Sequence, residues 1–183
     1  MGALLRLSGW IDALNERVGK AVTVLVLAAV LIAAGNAAAR KTLGIGSNAF
    51  LEIQWYLFSA VFLLGAGYTL LHNGHVRIDV IAGRLAPRTQ ALIDLLGLLL
   101  VLLPLCVLMI DLGGPLFARA WASGERSQNA GGLIRWPVLL LPPAGFALLL
   151  LQGLSEAVKR IAFLTGRRPQ PFSGPAEPGA TPR

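Results

Sequence analysis

The short motif His72-Asn73-Gly74-His75 holds both histidines of the chain and is the best candidate for metal chemistry. Asp79 follows, close enough to share one side of a helix. A zinc site usually needs three or four His, Cys or carboxylate ligands, and the one cysteine, Cys106, lies in a distant apolar run. A haem would need axial histidines on facing helices. Because histidines at the end of an apolar segment are commonly plain polar end residues, we predict no metal and no cofactor.

Carboxylates deep in a membrane span mark proton relays and coupling-ion sites, and this sequence places none near the middle of an apolar run. Asp94 and Asp111 bracket sixteen uncharged residues, about 24 Å of helix, so each is expected near an interface. The first run holds only Asn36, near its end. No serine, histidine and acid arrangement suggests nucleophilic catalysis. The sequence therefore predicts neither an enzyme nor a self-contained ion-coupled pump.

The histidines, aspartates and asparagine discussed above lie in or beside four apolar runs of the chain. Hydrophobic residues make up 55% of the 183-residue chain and charged residues 14%, whereas soluble domains carry about 25% charged residues. A bilayer span needs about 20 apolar residues. We predict an all-α membrane protein in which Pro104 kinks the third span, and Pro142 and Pro143 bend or unwind the first part of the fourth. The predicted spans are residues 21–39, 53–71, 92–112 and 136–156.

The two ends of the chain differ from the spans. In residues 1–20, apolar side chains recur every three or four positions beside Trp10, which predicts an interfacial amphipathic helix on the cytoplasmic membrane surface. A signal peptide ending near residue 39 would need an unusually long charged segment. Residues 167–183 are rich in Pro and Gly, which predicts a disordered cytoplasmic tail. The longest loop, residues 113–135, is too short for a ligand-binding domain.

Lys and Arg set the expected orientation. Eleven of them fall before the first span, between the second and third spans, or after the fourth, and five fall on the other side. Positive residues are enriched in cytoplasmic loops, so both termini are predicted to be cytoplasmic. The net charge of +7 lies between apolar runs rather than on the basic face of a soluble fold. Nucleic acid is therefore excluded as a partner.

The second span carries a recognisable order of motifs. It opens with Glu-Ile-Gln-Trp-Tyr-Leu-Phe at residues 52–58, closes with Gly-Ala-Gly-Tyr at 65–68, and leads into His-Asn-Gly-His-Val-Arg-Ile-Asp-Val at 72–80. This order resembles the small membrane subunit of tripartite ATP-independent periplasmic (TRAP) transporters. In that family an acidic residue and aromatics open the second helix, and a Gly-His-x-Arg-x-Asp stretch follows it.

A second block, residues 123–137 and 142–156, is similar to the family branch named after mannitol or chloroaromatic compounds. The resemblance covers residues 8–166. It implies two partners, a large multi-spanning membrane subunit with the substrate and sodium sites and a periplasmic solute-binding receptor. It also implies a non-catalytic scaffold for sodium-coupled uptake of a small organic acid across a bacterial inner membrane. Two alternatives stay open, namely a membrane anchor for a redox or other enzyme complex and a self-contained small transporter.

The resemblance assigns roles to ten residues as contacts with partners or lipid. The aromatic residues are expected to face the large subunit or lipid, and Arg77 and Asp79 to pair in the cytoplasmic loop. The polar residues after the third span are expected to contact the receptor. Interfacial anchoring and solvated charges are the simpler alternatives. The ten residues are Glu52, Trp55, Tyr56, Phe58, Arg77, Asp79, Glu125, Arg126, Asn129 and Trp136.

Overall fold

The computed structural model describes residues 2–44, 47–74 and 85–167. Four long helices account for most of these residues, and each is long and apolar enough to cross a membrane. The predicted all-α membrane fold with four spanning helices is confirmed. The helices are α1 (Gly2–Leu43), α2 (Asn48–Leu71), α3 (Pro87–Ser123) and α4 (Trp136–Leu164).

Helix α1 is continuous over 42 residues, whereas the sequence predicted a surface helix over residues 1–20 and a separate span. At 1.5 Å per residue it is about 63 Å long, roughly twice the hydrocarbon thickness of a bilayer. No proline interrupts residues 2–43. Gly19, the weakest helix former at the expected junction, is buried against the ring of Tyr68. The described residues therefore show no separate amphipathic helix.

The first turns of α1 bury their polar face. Ser8 and Asn15 are buried, whereas Trp10 on the apolar side is 77% exposed. The apolar residues that suggested an interfacial helix thus point away from the other helices. The polar face packs against α4, where it finds hydrogen-bond partners.

Helix α3 contains a π turn at Leu98–Leu102, directly before Pro104. Proline has no amide hydrogen, and its ring collides with the carbonyl four residues back. The helix widens here, and the Leu103 amide donates to the carbonyl of Leu98, five residues back. The expected distortion at Pro104 therefore takes the form of a π turn.

Helix α3 also ends later than predicted, at Ser123 rather than residue 112. The connection to α4 is therefore residues 124–135, and the predicted loop over 113–135 is wrong. A favourable cap ends the helix, because Gly124 adopts a left-handed conformation with φ 62°. Asp111, expected at the end of its span, is exposed about 18 Å before the helix end.

Helix α4 is the central helix of the assembly. It contacts α1, α2 and α3, and α3 packs mainly against it. Pro142 and Pro143 lie inside the helix, which stays helical around them, so the expected unwinding is not observed. Small residues let its neighbours approach closely, since Gly145 meets the backbone of Leu63 and Gly153 meets side chains of α3.

Candidate functional site

Polar side chains gather at the two ends of the helical assembly. At the loop end, α1 ends, α2 begins, and residues 124–135 connect α3 to α4. At the terminal end, α1 begins and α4 ends. Within residues 2–44, 47–74 and 85–167, no group of three or more His, Cys, Asp or Glu could hold a metal ion.

Glu52, in the second turn of α2, organises the loop end. Its carboxylate accepts hydrogen bonds from the Ser127 hydroxyl, from Asn129 Nδ2 at 2.8 Å and from the Leu133 amide at 2.7 Å. Hydrogen bonds to a charged acceptor are stronger than those between neutral groups. One carboxylate therefore fixes three points of the loop that connects α3 and α4.

The same loop folds back on itself as a small hairpin. The Ser127 amide donates to the carbonyl of Leu133 at 2.9 Å, and the Arg135 amide donates to the carbonyl of Glu125 at 3.0 Å. Gly131 allows the tight reversal, because its φ of 72° is one that glycine adopts without strain. The loop is therefore a defined surface with its own hydrogen bonds.

Most of the predicted contact residues at this end bind within the chain. Tyr56 donates its hydroxyl to the carbonyl of Ile134 at 3.1 Å. Glu125 pairs with Arg135 at 2.5 Å. The Trp136 ring packs edge-on against Trp121 with ring centroids 4.7 Å apart. Tyr56 therefore ties the loop to α2, the ion pair joins the two ends of the loop, and the two tryptophans pack the end of α3 against the start of α4.

The remaining predicted residues have different surroundings. Trp55 is 72% exposed and Phe58 is also exposed, so both are available to lipid or a partner. Arg126 reaches the carbonyl of Gly132 with Nη2 at 3.4 Å. Arg77 and Asp79, with the histidine at position 75, lie outside the described residues.

We expect the Glu52→Ala variant to release the loop. A hydrogen bond to a charged group stabilises by about 1.5–3 kcal/mol, so removing the shared acceptor should open the loop at least about tenfold more often. Trypsin cleavage after Arg126 in the solubilised protein measures that opening. Gln54→Ala is the matched control, because Gln54 forms no side-chain hydrogen bond with any described residue. Equal cleavage of both variants would contradict the anchoring role of Glu52.

The terminal end holds a larger group of polar side chains, here called the terminal cluster. The members from α4 lie on one face of that helix, because they follow Gln152 by three, four, seven and eight residues. This face meets the polar face of α1 and one carboxylate of α3. The terminal cluster consists of Ser8, Asp12, Asn15, Asp94, Gln152, Ser155, Glu156, Lys159 and Arg160.

Ion pairs form the centre of the terminal cluster. Glu156 bonds Lys159 at 2.8 Å through one oxygen and Arg160 through the other. Lys159 also reaches Asp12 of α1 at 2.6 Å, and Arg160 reaches Asp94 of α3 at 3.5 Å. Glu156 is 0% exposed, and both bases are buried. Buried charges are costly unless paired, and here each is neutralised by its neighbours.

Neutral side chains complete the network between α1 and α4. Asn15 Nδ2 donates to Gln152 Oε1 at 3.0 Å, and Gln152 Nε2 donates to Asp12 Oδ1 at 3.0 Å. The Ser155 hydroxyl donates to the same aspartate oxygen at 2.8 Å. Ser8 and Ser155 share a hydrogen bond of 2.6 Å. The N-terminal part of α1 is thereby attached to α4.

The sequence interpretation missed the terminal cluster. The orientation rule counts Lys159 and Arg160 only as cytoplasmic charges, and the spacing of the aspartates places Asp94 near an interface. A signal was present, because Glu156 precedes the two bases by three and four residues, the spacing of ion pairs on one helix face. The matching polar face of α1 was visible too, at positions 8, 12 and 15.

The first histidine of the candidate metal motif joins two helices. His72 caps the end of α2, and its Nε2 lies 2.7 Å from Glu16 of α1. Glu16 also pairs with Lys20 at 3.1 Å. The His72 ring packs against Tyr68 with centroids 4.4 Å apart. This side chain therefore contributes to the contact between α1 and α2.

Comparison with protein-family models gives one match that covers most of the helical region. Residues 31–163 match the model described as "Tripartite ATP-independent periplasmic transporters, DctQ component". Comparison with curated proteins and with solved structures gave no significant match. The family match covers more than half of the chain and includes α2, α3 and nearly all of α4. This chain therefore belongs to the DctQ family, the small membrane subunits of TRAP transporters.

Proposed function

We propose that the chain is a non-catalytic scaffold in a TRAP-type secondary importer. It supports a large membrane subunit during sodium-coupled uptake of a small organic acid, which a periplasmic receptor delivers. The family membership supports the transporter assignment. The observation that carries the scaffolding role is that the buried charges of the terminal cluster bind one another.

The bonding of the acids explains why this observation matters. In an ion-coupled carrier, an intramembrane carboxylate takes up and releases an ion or proton. Here both oxygens of Glu156 are bonded by bases on its own helix. The Asp12 carboxylate pairs with Lys159 and accepts hydrogen bonds from Gln152 and Ser155. Acids held in this way act as structural links between α1 and α4.

The proposed location is a bacterial inner membrane with both termini in the cytoplasm. The distribution of Lys and Arg supports this orientation, with eleven on the proposed cytoplasmic side and five on the other. The terminal cluster then lies at the cytoplasmic surface, and the loop anchored by Glu52 lies in the periplasm. That loop is the proposed surface for the receptor, with Arg126 and Asn129 among its polar groups.

The remaining residue assignments belong to this proposal. Trp55 and Phe58 are exposed on α2, which suits contacts with the large subunit or lipid. The pair Arg77 and Asp79 stays a prediction. The branch named after mannitol or chloroaromatic compounds is also proposed, from the resemblance of residues 123–137 and 142–156.

Purification from native membranes tests the proposal. With a tag on the C-terminus, we expect a much larger multi-spanning protein to copurify at equal stoichiometry. In proteoliposomes, uptake should need both membrane subunits, the receptor and a sodium gradient. Uptake by this chain alone would overturn the proposal, and so would copurification with a cofactor-bearing enzyme.

A further inference from the structure

An open groove lies between the last turns of α1 and the start of α2, at the loop end. Its volume is about 380 Å³. Aliphatic and small side chains form most of its wall. The groove residues are Leu31, Ile32, Gly35 and Ala39 of α1, together with Ser47 and Phe50.

Asn36 is the polar exception in this wall. Its residue surface is 8% exposed, and its side chain forms no hydrogen bond with any residue that the structure describes. The amide lines the groove, so a purely apolar occupant would bury it without a hydrogen bond, which costs free energy. The groove therefore combines an apolar wall with one amide that is free to form hydrogen bonds with an occupant.

Gly35, beside Asn36, packs against no other helix within the part of the chain that the structure describes. A methyl group built there would meet no described atom within 4 Å, apart from its own helix backbone. By contrast, Gly19 and Gly145 are each needed to let a neighbouring helix approach. Glycine and alanine one turn apart, as at Gly35 and Ala39, provide a flat surface on which another helix packs closely in a membrane.

We propose that this groove receives a transmembrane helix of the large membrane subunit. That helix lies against Gly35 and Ala39 and presents a hydrogen-bonding side chain to Asn36. A lipid acyl chain fills apolar space but leaves the amide without a partner, whereas a helix satisfies both parts of the groove. The inference rests on the proposed function, and it specifies where the partner binds.

Two leucine substitutions test the groove in the complex purified by the C-terminal tag. Asn36→Leu removes the amide, and Gly35→Leu fills the helix-packing surface. Each should lower recovery of the large subunit by about tenfold, with little change in the thermal stability of the chain itself. Gly114→Leu is the matched control, because a methyl group at this glycine of α3 also meets no described atom within 4 Å.

A photo-crosslinking residue locates the partner directly. Placed at Leu31, which is 62% exposed in the groove, it should crosslink to the large subunit. The control position is Leu100, which is 71% exposed on α3. Crosslinks from position 31 to lipid alone or to a second copy of this chain would overturn the inference.

The outcomes separate this inference from the proposed function. If both groove variants recover the large subunit as well as the unmodified chain does, the groove is not its binding site and the proposed function stands. If the unmodified chain recovers no large subunit, the proposed function fails, and the inference fails with it.

Discussion

The Glu156→Leu variant will be strongly destabilised, because it removes the acid that bonds two buried bases. Lys159 and Arg160 are each almost fully buried and both pair with this carboxylate. Breaking a buried ion pair by removing one partner costs about 3–5 kcal/mol. We expect the midpoint of thermal unfolding to fall by on the order of 10 °C. Tryptophan fluorescence of the detergent-solubilised protein during heating measures this shift.

The control for this prediction is Glu125→Leu at the loop end. Glu125 also pairs with an arginine, Arg135, but both side chains are partly exposed. Exposed pairs contribute about 0–1 kcal/mol, so the control should unfold close to the wild-type temperature. Similar midpoints for the two variants would show that the terminal cluster is not what holds α1 and α4 together.

The helical fold was predictable because a segment that crosses a bilayer must be apolar over its whole length, and this requirement is visible in the composition. A span needs about 20 apolar residues, and each predicted run falls inside an observed helix. The helix ends were less predictable. Beyond the apolar runs, the continuation of α1 through Lys20 and of α3 to Ser123 depends on packing and capping. Those contacts link residues far apart in the chain, such as Gly19 and Tyr68.

For the polar clusters, the sequence likewise predicted some of the residues but not the contacts between them. Glu52 and Asn129 were both predicted as contact residues, but nothing in one sequence indicates that they bond each other across 77 positions. The terminal cluster was missed for another reason. Counting Lys and Arg for orientation treats each as solvated, whereas Lys159 and Arg160 are buried. A charge at the end of a span can be solvated beside the membrane or buried in an ion pair, and only tertiary contacts distinguish the two.

Helices α2 and α4 approach each other closely at Gly145. A Cβ atom at Gly145 would lie 2.7 Å from the carbonyl oxygen of Leu63 and 2.8 Å from its carbonyl carbon. These are backbone atoms, which cannot move aside as the end of a side chain can. Because α4 contacts all three other helices, a displacement here also affects the apolar core around Leu70 and Ala157.

The Gly145→Leu variant should therefore force α2 and α4 apart. Overpacking a close contact costs about 1–3 kcal/mol and occasionally more, and we expect the upper part of that range because backbone atoms are involved. Thermal unfolding and size-exclusion chromatography in detergent measure the loss of stability and of compactness. Gly114→Leu on α3 should leave both unchanged, since a methyl group there meets no described atom within 4 Å beyond its own helix backbone. If the two variants behaved alike, close approach at Gly145 would not be what joins α2 to α4.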